Sequence, residues 1–525
     1  MTPFTEEASP RGIAYVTPFT QAAGTGVGFM DLDDDGDPDL VAVGRIDGLI
    51  GIWENDGTGH FTDRSSTSGA PNIINGSGVS AADYDRDGDL DLYITGYLAG
   101  NHLLRNDGNF TFTDVTISAG VQDTESSFGS GWADYDLDGW VDLYVANRPV
   151  ENRLFRNLGD GTFEDVAPAL GVDRGDDPSF QGTFFDYDRD GDADLYIAND
   201  KGYSCATTDW RNRLFENTGR GFVDVTESMN VGACIAAMCI AIGDIDGNGY
   251  PDVYCTNLPF GNVLQLNRGA GVPFEDAAAS WGVVANELGW GSAFFDVDND
   301  TAIDLYVCHA TTTNYLYRNH GYDCVELASD MGVDDGGKSF VIATADVDND
   351  GDVDFLLQNE GQKLKLMINN EGSQRHWAKF DVVGEGPNRY AIGATVEATV
   401  GSTSMIRQVI AGHHYKSQSD LVQHFGLGSR ATVIDRVDIM WPGGMTRTIT
   451  GLAPNETWRL YPPDKLGDAN HDGDRDIDDV VALILAFNPE PGSLRPGEEM
   501  LDFNGNAMVD ADDLQALLDH VDLLP

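Results

Sequence analysis

The pattern D-x-D-x-(D/N)-x-x-x-D recurs with first aspartates at Asp31, Asp83, Asp134, Asp186, Asp244, Asp296 and Asp346. Nothing else in the chain limits its fold so strongly. The interval is about fifty residues, apart from one longer step between Asp186 and Asp244, and a period of that size points to propellers or solenoids rather than to unrelated loops. In the copy Asp83-Tyr-Asp85-Arg-Asp87-Gly88-Asp89-Leu-Asp91, side-chain oxygens fall at positions 1, 3, 5 and 9. Position 7 offers its carbonyl, and glycine at position 6 permits a sharp turn. Hard cations such as Ca²⁺ take roughly six to eight oxygens, and such a loop supplies most of them.

The candidate metal ligands of loop one are Asp31, Asp33, Asp35, Asp37 and Asp39, and those of loop two are Asp83, Asp85, Asp87, Asp89 and Asp91. Loop three offers Asp134, Asp136, Asp138, Trp140 and Asp142, and loop four Asp186, Asp188, Asp190, Asp192 and Asp194. Loop five offers Asp244, Asp246, Asn248, Tyr250 and Asp252. Loop six has Asp296, Asp298, Asp300, Ala302 and Asp304, and loop seven Asp346, Asp348, Asp350, Asp352 and Asp354. Trp140, Tyr250 and Ala302 stand at position 7, where only the main chain is needed. In loop six, Thr301 replaces the turn glycine, so the sixth site is expected to bind most weakly.

What surrounds the loops chooses the architecture. An apolar run such as Gly129-Ser-Gly-Trp-Ala-Asp134 precedes each loop, and a strand such as Asp142-Leu-Tyr-Val-Ala-Asn147 follows it. Asn152-Arg-Leu-Phe-Arg-Asn157 and Gly161-Thr-Phe-Glu-Asp-Val166 read as two further strands with glycine and asparagine at the turns. Four strands per repeat make a propeller blade, so the repeats predict a seven-bladed β-propeller over residues 1–372. Blade seven lacks an F-x-D-V strand before the composition changes near Arg375. Phe4-Thr-Glu-Glu-Ala8 has that form, so residues 3–10 are expected to supply the outer strand and close the ring.

The net charge is -56 with 41% hydrophobic residues, which combines acidity with enough apolar surface for a core. Clustered carboxylates repel one another without cations, so metal binding and folding are expected to be coupled. The same acidity argues against a nucleic-acid partner, because phosphate binding needs basic patches. No run of about 18 apolar residues spans a membrane. Millimolar calcium is an extracellular condition, and the opening Met1-Thr-Pro-Phe-Thr has no export signal, so the expectation is a mature form of an exported protein. Six cysteines, Cys205, Cys234, Cys239, Cys255, Cys308 and Cys324, lie in blades four to six and favour disulfides. A bridge from Cys205 to Cys234 or Cys239 would pin the insertion between Asn199 and Asn212.

Trp132-Ala-Asp-Tyr-Asp-Leu-Asp-Gly-Trp-Val-Asp-Leu-Tyr-Val-Ala-Asn147 resembles the FG-GAP/VCBS repeats of integrin-type propellers and bacterial surface proteins. That resemblance implies ions in the hairpins between first and second strands, all on one side of the disc. Residues 375–461 change to ordinary alternation, as in Ala394-Thr-Val-Glu-Ala-Thr-Val400, and read as a separate β domain. Its motifs Asn388-Arg-Tyr-Ala-Ile-Gly-Ala394, Ser417-Gln-Ser-Asp420, His424-Phe-Gly-Leu-Gly428 and Trp441-Pro-Gly-Gly444 resemble the ASPIC/UnbV domain that follows such propellers in the cartilage acidic protein 1 family. Within it, His413, His414, Ser417, Ser419, Asp420 and His424 superficially form an acid-base set. A nucleophile needs a base in reach and a third orienting group, which proximity in sequence does not provide, so these residues are expected to be turn and core-edge groups.

After Pro462-Pro463, residues 465–525 hold two loops of another kind. Asp468, Asn470, Asp472, Asp474, Asp476 and Asp479 keep EF-hand spacing, as do Asp502, Asn504, Asn506, Met508, Asp510 and Asp513. Apolar helix-like stretches, Val480–Phe487 and Leu514–Leu518, follow the loops. This loop-helix pair resembles a type I dockerin, with Arg475 and Ala507 departing from the pattern. The resemblance implies a cohesin-like partner; docking on its own propeller or on a second copy is the alternative.

The expected whole is mainly β: a propeller, a small β domain and a C-terminal α-helical dockerin/EF-hand-like domain, with about seven Ca²⁺ in the propeller and up to two in the tail. Two functions fit. One is a non-catalytic extracellular calcium-binding surface or matrix protein mediating protein or carbohydrate interaction. The other is a secreted enzyme acting on a polysaccharide or small natural product at the propeller/β-domain border, although no G-x-S-x-G elbow or H-E-x-x-H helix is present.

Overall fold

The computed structural model describes residues 3–17, 23–175, 177–200, 205, 209–384, 386–463, 494, 501–511 and 513. Seven four-stranded antiparallel sheets correspond to the seven repeats. Blade two runs Gly76–Ala82, Asp91–Gly96, His102–Asn106 and Phe112–Asp114 from its first strand to its last, and the other blades repeat that order. The first two strands are buried along their whole length, whereas the last strand buries only Phe112. Small residues suit the inner strand because neighbouring blades converge there. A Cβ on Gly78 would lie 2.5 Å from the Phe128 carbonyl oxygen of the next blade.

The strand that completes blade seven is N-terminal: Phe4–Glu6 pairs antiparallel with Lys365–Asn369, with Phe4 opposite Asn369. The Phe4 ring packs 5.3 Å from that of Phe355. Residues 7–10 lie outside this three-residue strand, so the paired segment is shorter than the sequence suggests.

The chain beyond the blades folds into two sheets. His376–Val382 lies between Gln423–Gly428, antiparallel, and Thr457–Leu460, parallel. The second sheet has the order Thr403–Gln408, Thr395–Val400, Arg436–Met440, Thr446–Ile449. This β domain sits on the aspartate-loop side of the disc, and its segment 411–420 enters the centre. There, Trp132 N donates to Ala411 O (3.1 Å), Val79 N to Lys416 O (3.2 Å) and Phe29 N to Gln418 O (3.0 Å). Tyr415 packs against Phe180 and Trp290, and Ser417 Oγ donates to Ile342 O. The centre of the disc is thus filled by a loop of the second domain.

Of the C-terminal segment, the first EF-type loop and both expected helices fall outside the described residues. The second loop packs on the β domain, where Arg447 Nη2 donates to Asp502 O (2.5 Å) and Thr450 N to Gly505 O (2.8 Å). Leu501, Ala507 and Val509 join the same apolar cluster as Ile449 and Leu452.

The cysteines require a correction. Cys205 and Cys234 form a disulfide, while Cys239, Cys255, Cys308 and Cys324 are free and buried. The repeat supplies the reason: Cys255 stands where other blades carry Ile94, Val145 or Ile197, a core position of the second strand.

Candidate metal centres

Each propeller loop joins a first strand to a second strand, and its aspartates divide into two groups. Position 9 begins the second strand and builds the frame. In loop three, Asp142 Oδ2 accepts from Tyr135 N (3.2 Å) and Oδ1 from Asn157 N (2.8 Å). The same pair of bonds occurs at Asp39, Asp91, Asp194, Asp252, Asp304 and Asp354. Position 1 sets the turn: Asp134 Oδ2 accepts from Gly139 N (2.9 Å), and Asp296 Oδ2 accepts from Thr301 N (2.9 Å).

Asparagine at the end of each third strand ties the frame to its neighbour. Asn157 Nδ2 donates to Tyr84 O of the preceding blade (2.8 Å), and Asn319 Nδ2 to Ile245 O (2.8 Å). Asn55 reaches Val347 O in blade seven (2.9 Å), so the relay runs around the closed ring. The sequence reading missed these asparagines as a functional set. Their signal was N-x-G after the third strand, as in Asn106-Asp-Gly108 and Asn157-Leu-Gly159, where the glycine N–H returns to the asparagine Oδ1.

The remaining carboxylates suit a cation. Carboxylate oxygens at positions 1, 3 and 9 lie within 4.8 Å of one another in the loops of Asp31, Asp83, Asp134, Asp186 and Asp244. At position 3, Oδ1 of Asp33, Asp85, Asp188, Asp298 and Asp348 is buried and finds no hydrogen-bond partner among the described residues. Buried acceptors of this kind are normally satisfied by protein, water or an ion. Burial pushes the carboxyls of Asp31, Asp83, Asp134 and Asp296 up to about 7, and those of Asp186 and Asp244 up to about 6. Neighbouring aspartates add repulsion, which a divalent cation would replace with attraction.

Loop six differs. Thr301 adopts φ 90°, a conformation unfavourable for a branched side chain. Arg375 Nη1 lies 2.5 Å from Asp298 Oδ2, and Arg318 contacts the same carboxylate. Two guanidiniums therefore compete with a cation for one expected ligand.

In the tail loop, Asp502 Oδ2 accepts from Ala507 N (3.0 Å), while Asp513 accepts from Phe503 N and Asp510 N (both 2.8 Å). Ala507 takes φ 57°, the positive value that position 6 demands. Asn504 Oδ1 and Asn506 Oδ1 accept from the main chain within the loop. The set Asp468, Asn470, Asp472, Asp474, Asp476 and Asp479 lies outside the described residues.

The β domain reads the loops directly. Arg389 Nη1 and Tyr390 Oη donate to Gly88 O (2.9 and 2.8 Å), and Arg389 also contacts Asp34. Pro387 packs against Gly139, and Gly443 N donates to Gly191 O (2.9 Å). Gly428 N donates to Asn299 O (2.8 Å), His424 Nε2 bonds Gly351 O (2.9 Å), and Lys379 Nζ lies 2.9 Å from Asp346 Oδ2. Loop five faces the domain across a cavity of about 120 Å³ lined by Asp244, Asp296, Asp346, Arg407, His413, His414, Ser419, Asp420 and His424.

Of the residues singled out by sequence, His413, His414, Ser419, Asp420 and His424 do converge on this cavity, with their roles fixed by packing, whereas Ser417 does not line it. Ser419 Oγ accepts from Thr344 N (3.0 Å) and is bonded by Thr344 Oγ1 (2.9 Å) and His414 Nε2 (3.1 Å). Burial lowers the His413 and His424 pKa values to about 4 and that of His414 well below its ordinary value. Burial also raises Asp420 to about 6. No helix among the described residues is long and apolar enough to cross a membrane.

Comparison with known families agrees with this division. Residues 31–94 and 134–197 match the FG-GAP-like repeat, and residues 384–467 match the ASPIC and UnbV domain. Human cartilage acidic protein 1 is 23% identical over 491 residues, covering 85% of this chain and 64% of the relative. The Xenopus tropicalis protein of the same name is 25% identical, covering 81% and 71%. The chain therefore spans less than two thirds of the human relative. Among solved structures, YCF48 from Cyanidioschyzon merolae overlaps 69% of this chain and 98% of its own at 9% identity (TM-score 0.42). An Agrocybe aegerita protein that recognises non-reducing terminal N-acetylglucosamine overlaps 58% and 81% at 21% identity (TM-score 0.39). The chain carries FG-GAP repeats and an ASPIC/UnbV domain and is homologous to cartilage acidic protein 1.

Proposed function

We propose that this chain is an extracellular, calcium-loaded, non-catalytic interaction protein, in which residues 1–372 form the propeller, 375–461 a β domain locked onto its ion face, and 465–525 a dockerin-like tether. The observation that carries the reading is the recurrence of an orphaned, buried position-3 oxygen in five of the seven loops. Asp33, Asp85 and Asp188 keep this buried acceptor on a carboxylate that lies within 4.8 Å of the position-1 and position-9 carboxylates. Calcium fits this all-oxygen donor set better than zinc, which favours nitrogen and sulfur. It would supply charge neutralisation, holding the loops in the shape that Arg389, Gly428 and His424 contact.

The opposite face of the disc is then free for a protein or glycan partner. A cohesin-like module is the expected partner of the tail, although the described tail loop lies against the chain's own β domain. Homology to cartilage acidic protein 1 fits a secreted matrix or interaction role. The test is a calcium titration of the chelated chain, read by heat and by bound-metal analysis. Roughly seven to nine ions per chain are expected, and a chain that takes up none refutes the reading.

An enzyme at the propeller/β-domain border is the second reading, favoured by the cavity that joins His413, His414, Ser419 and Asp420. The geometry weighs against it. Ser419 Oγ is held by two atoms of Thr344, and His414 Nδ1 has no partner among the described residues to orient its ring. A nucleophile-base pair without an orienting third group lacks the triad's logic.

A further inference from the structure

One cation in the cavity, Arg407, makes no ion pair among the described residues. Arg407 Nη1 donates to the neighbouring Ile406 carbonyl (2.8 Å), the guanidinium lies over the Phe425 ring at 4.9 Å, and Nη2 has no hydrogen-bond partner among the described residues. Asp296 and Asp244 act on it through space only. Three other cations that reach the loops are paired: Lys379 with Asp346, Arg375 with Asp298, Arg189 with Glu397. A guanidinium stays charged under all ordinary conditions, and a buried one without an anion is strongly unfavourable.

The through-space partners cannot serve twice. Asp244 and Asp296 are position-1 ligands of loops five and six, so filling those loops commits their charge to the ions. Arg407 then faces two bound dications, and Asp420 is the one carboxylate of the lining that no loop commits. Two imidazoles line the same space, His413 and His424, each with an Nδ1 that has no partner among the described residues. Gln423 adds an amide to the lining. Such a set recognises oxygen anions, with the planar fork of arginine suited to a carboxylate or a sulfate-like group.

We propose that the cavity between loops five to seven and the β domain is a binding site for a small oxyanion, held by Arg407 with His413 and His424 beside it and dependent on cations in the neighbouring loops. At about 120 Å³ the cavity lies below the roughly 300 Å³ of drug-sized sites, which limits the ligand to a small anion or a single acidic group. The inference rests on the calcium reading of the loops. By linkage, the anion also tightens calcium binding, by the same factor that calcium tightens the anion.

The test is calorimetric titration of the full chain with sodium sulfate and with sodium acetate, in saturating calcium and after chelation, with bound calcium counted in each sample. The expected result is one saturable site that is at least about tenfold tighter with calcium and is lost in Arg407→Met. His413→Gln serves as a second variant, expected to weaken binding several-fold, and a calcium-loaded melt shows that both variants are folded. A chain that counts its ions but gives no saturable anion heat, or an Arg407→Met protein that binds as tightly as wild type, overturns the site alone. A chain with no bound ions overturns the calcium reading instead, and equal anion affinity with and without calcium overturns the coupling.

Discussion

Loops three and six carry the same aspartate register in opposite surroundings. Loop three keeps its turn glycine, leaves Asp136 and Asp138 at the surface, and has Arg156 no nearer than 3.9 Å to Asp136. Loop six has Thr301 at a positive φ, and Asp298 is buried against Arg318 and Arg375. The hydrogen-bond frame is nevertheless identical: Asp142 receives Tyr135 N and Asn157 N, and Asp304 receives Val297 N and Asn319 N. The frame is therefore the same in both loops, and on the proposed reading the side chains that compete for position 3 would decide how well an ion is held.

The largest expected difference between the two loops follows from removing ligands. Asp134→Asn with Asp136→Asn should abolish one calcium site and lower the calcium-loaded melting temperature, by roughly 4 °C for each kcal/mol of lost binding linkage, or less in a chain this long. The matching change at Asp296 and Asp298 should cost less, because loop six contributes less binding. Equal losses in differential scanning calorimetry would break the contrast.

The frame should show no such difference. Asn157→Ala and Asn319→Ala each remove the bonds to the preceding blade and leave a buried carbonyl unpaired, at a cost of about 1–3 kcal/mol in either loop. Denaturant melts of the two variants should superimpose, and a large gap between them would tie the frame to ion occupancy.

Loop six can also be repaired. Thr301→Gly with Arg375→Ala relieves the turn and leaves Asp298 with one competing guanidinium instead of two, and should raise the affinity of the weakest site by about tenfold, equivalent to 1.4 kcal/mol. An unchanged weakest site in a stepwise calcium titration would remove competition as the cause.

The response to pH should differ least between the two loops, because it is shared. Burial raises Asp134 and Asp296 to about 7 in the folded chain, against an unfolded value of about 3.9. The folded apo chain thus holds more protons, so this contribution to stability is complete below about pH 4 and is lost as pH rises through about 7. Calcium must displace those protons, so calcium affinity should rise over the same interval. Apo melts at pH 5 and pH 8 check the sign, with the lower melting temperature expected at pH 8.

The propeller was legible because its information is local and repeated. The Asp83–Asp91 loop, the strands around it and the missing strand of blade seven could all be read within one period. Position 6 of loop six was equally visible, since Thr301 broke a pattern kept elsewhere. Other features were legible but misread. Cys255 and Cys324 occupy apolar core positions of the repeat, those of Ile94 and Phe112, which outweighs the even number of cysteines as evidence of bridging. The N-x-G signal after six of the seven third strands was visible, yet its meaning depends on a carbonyl in the blade before. The insertion of residues 411–420 into the disc could not be read at all. It depends on contacts such as Gln418 with Phe29 and Ser417 with Ile342, which join distant parts of the chain and leave no periodic trace.

The most direct test of the central claim combines a bound-calcium count with a melt of the full chain before and after chelation. The account predicts about seven to nine calcium ions per chain and a fall of at least about 10 °C when they are removed, restored on adding calcium back. A chain that carries no calcium and melts at the same temperature in excess chelator contradicts it.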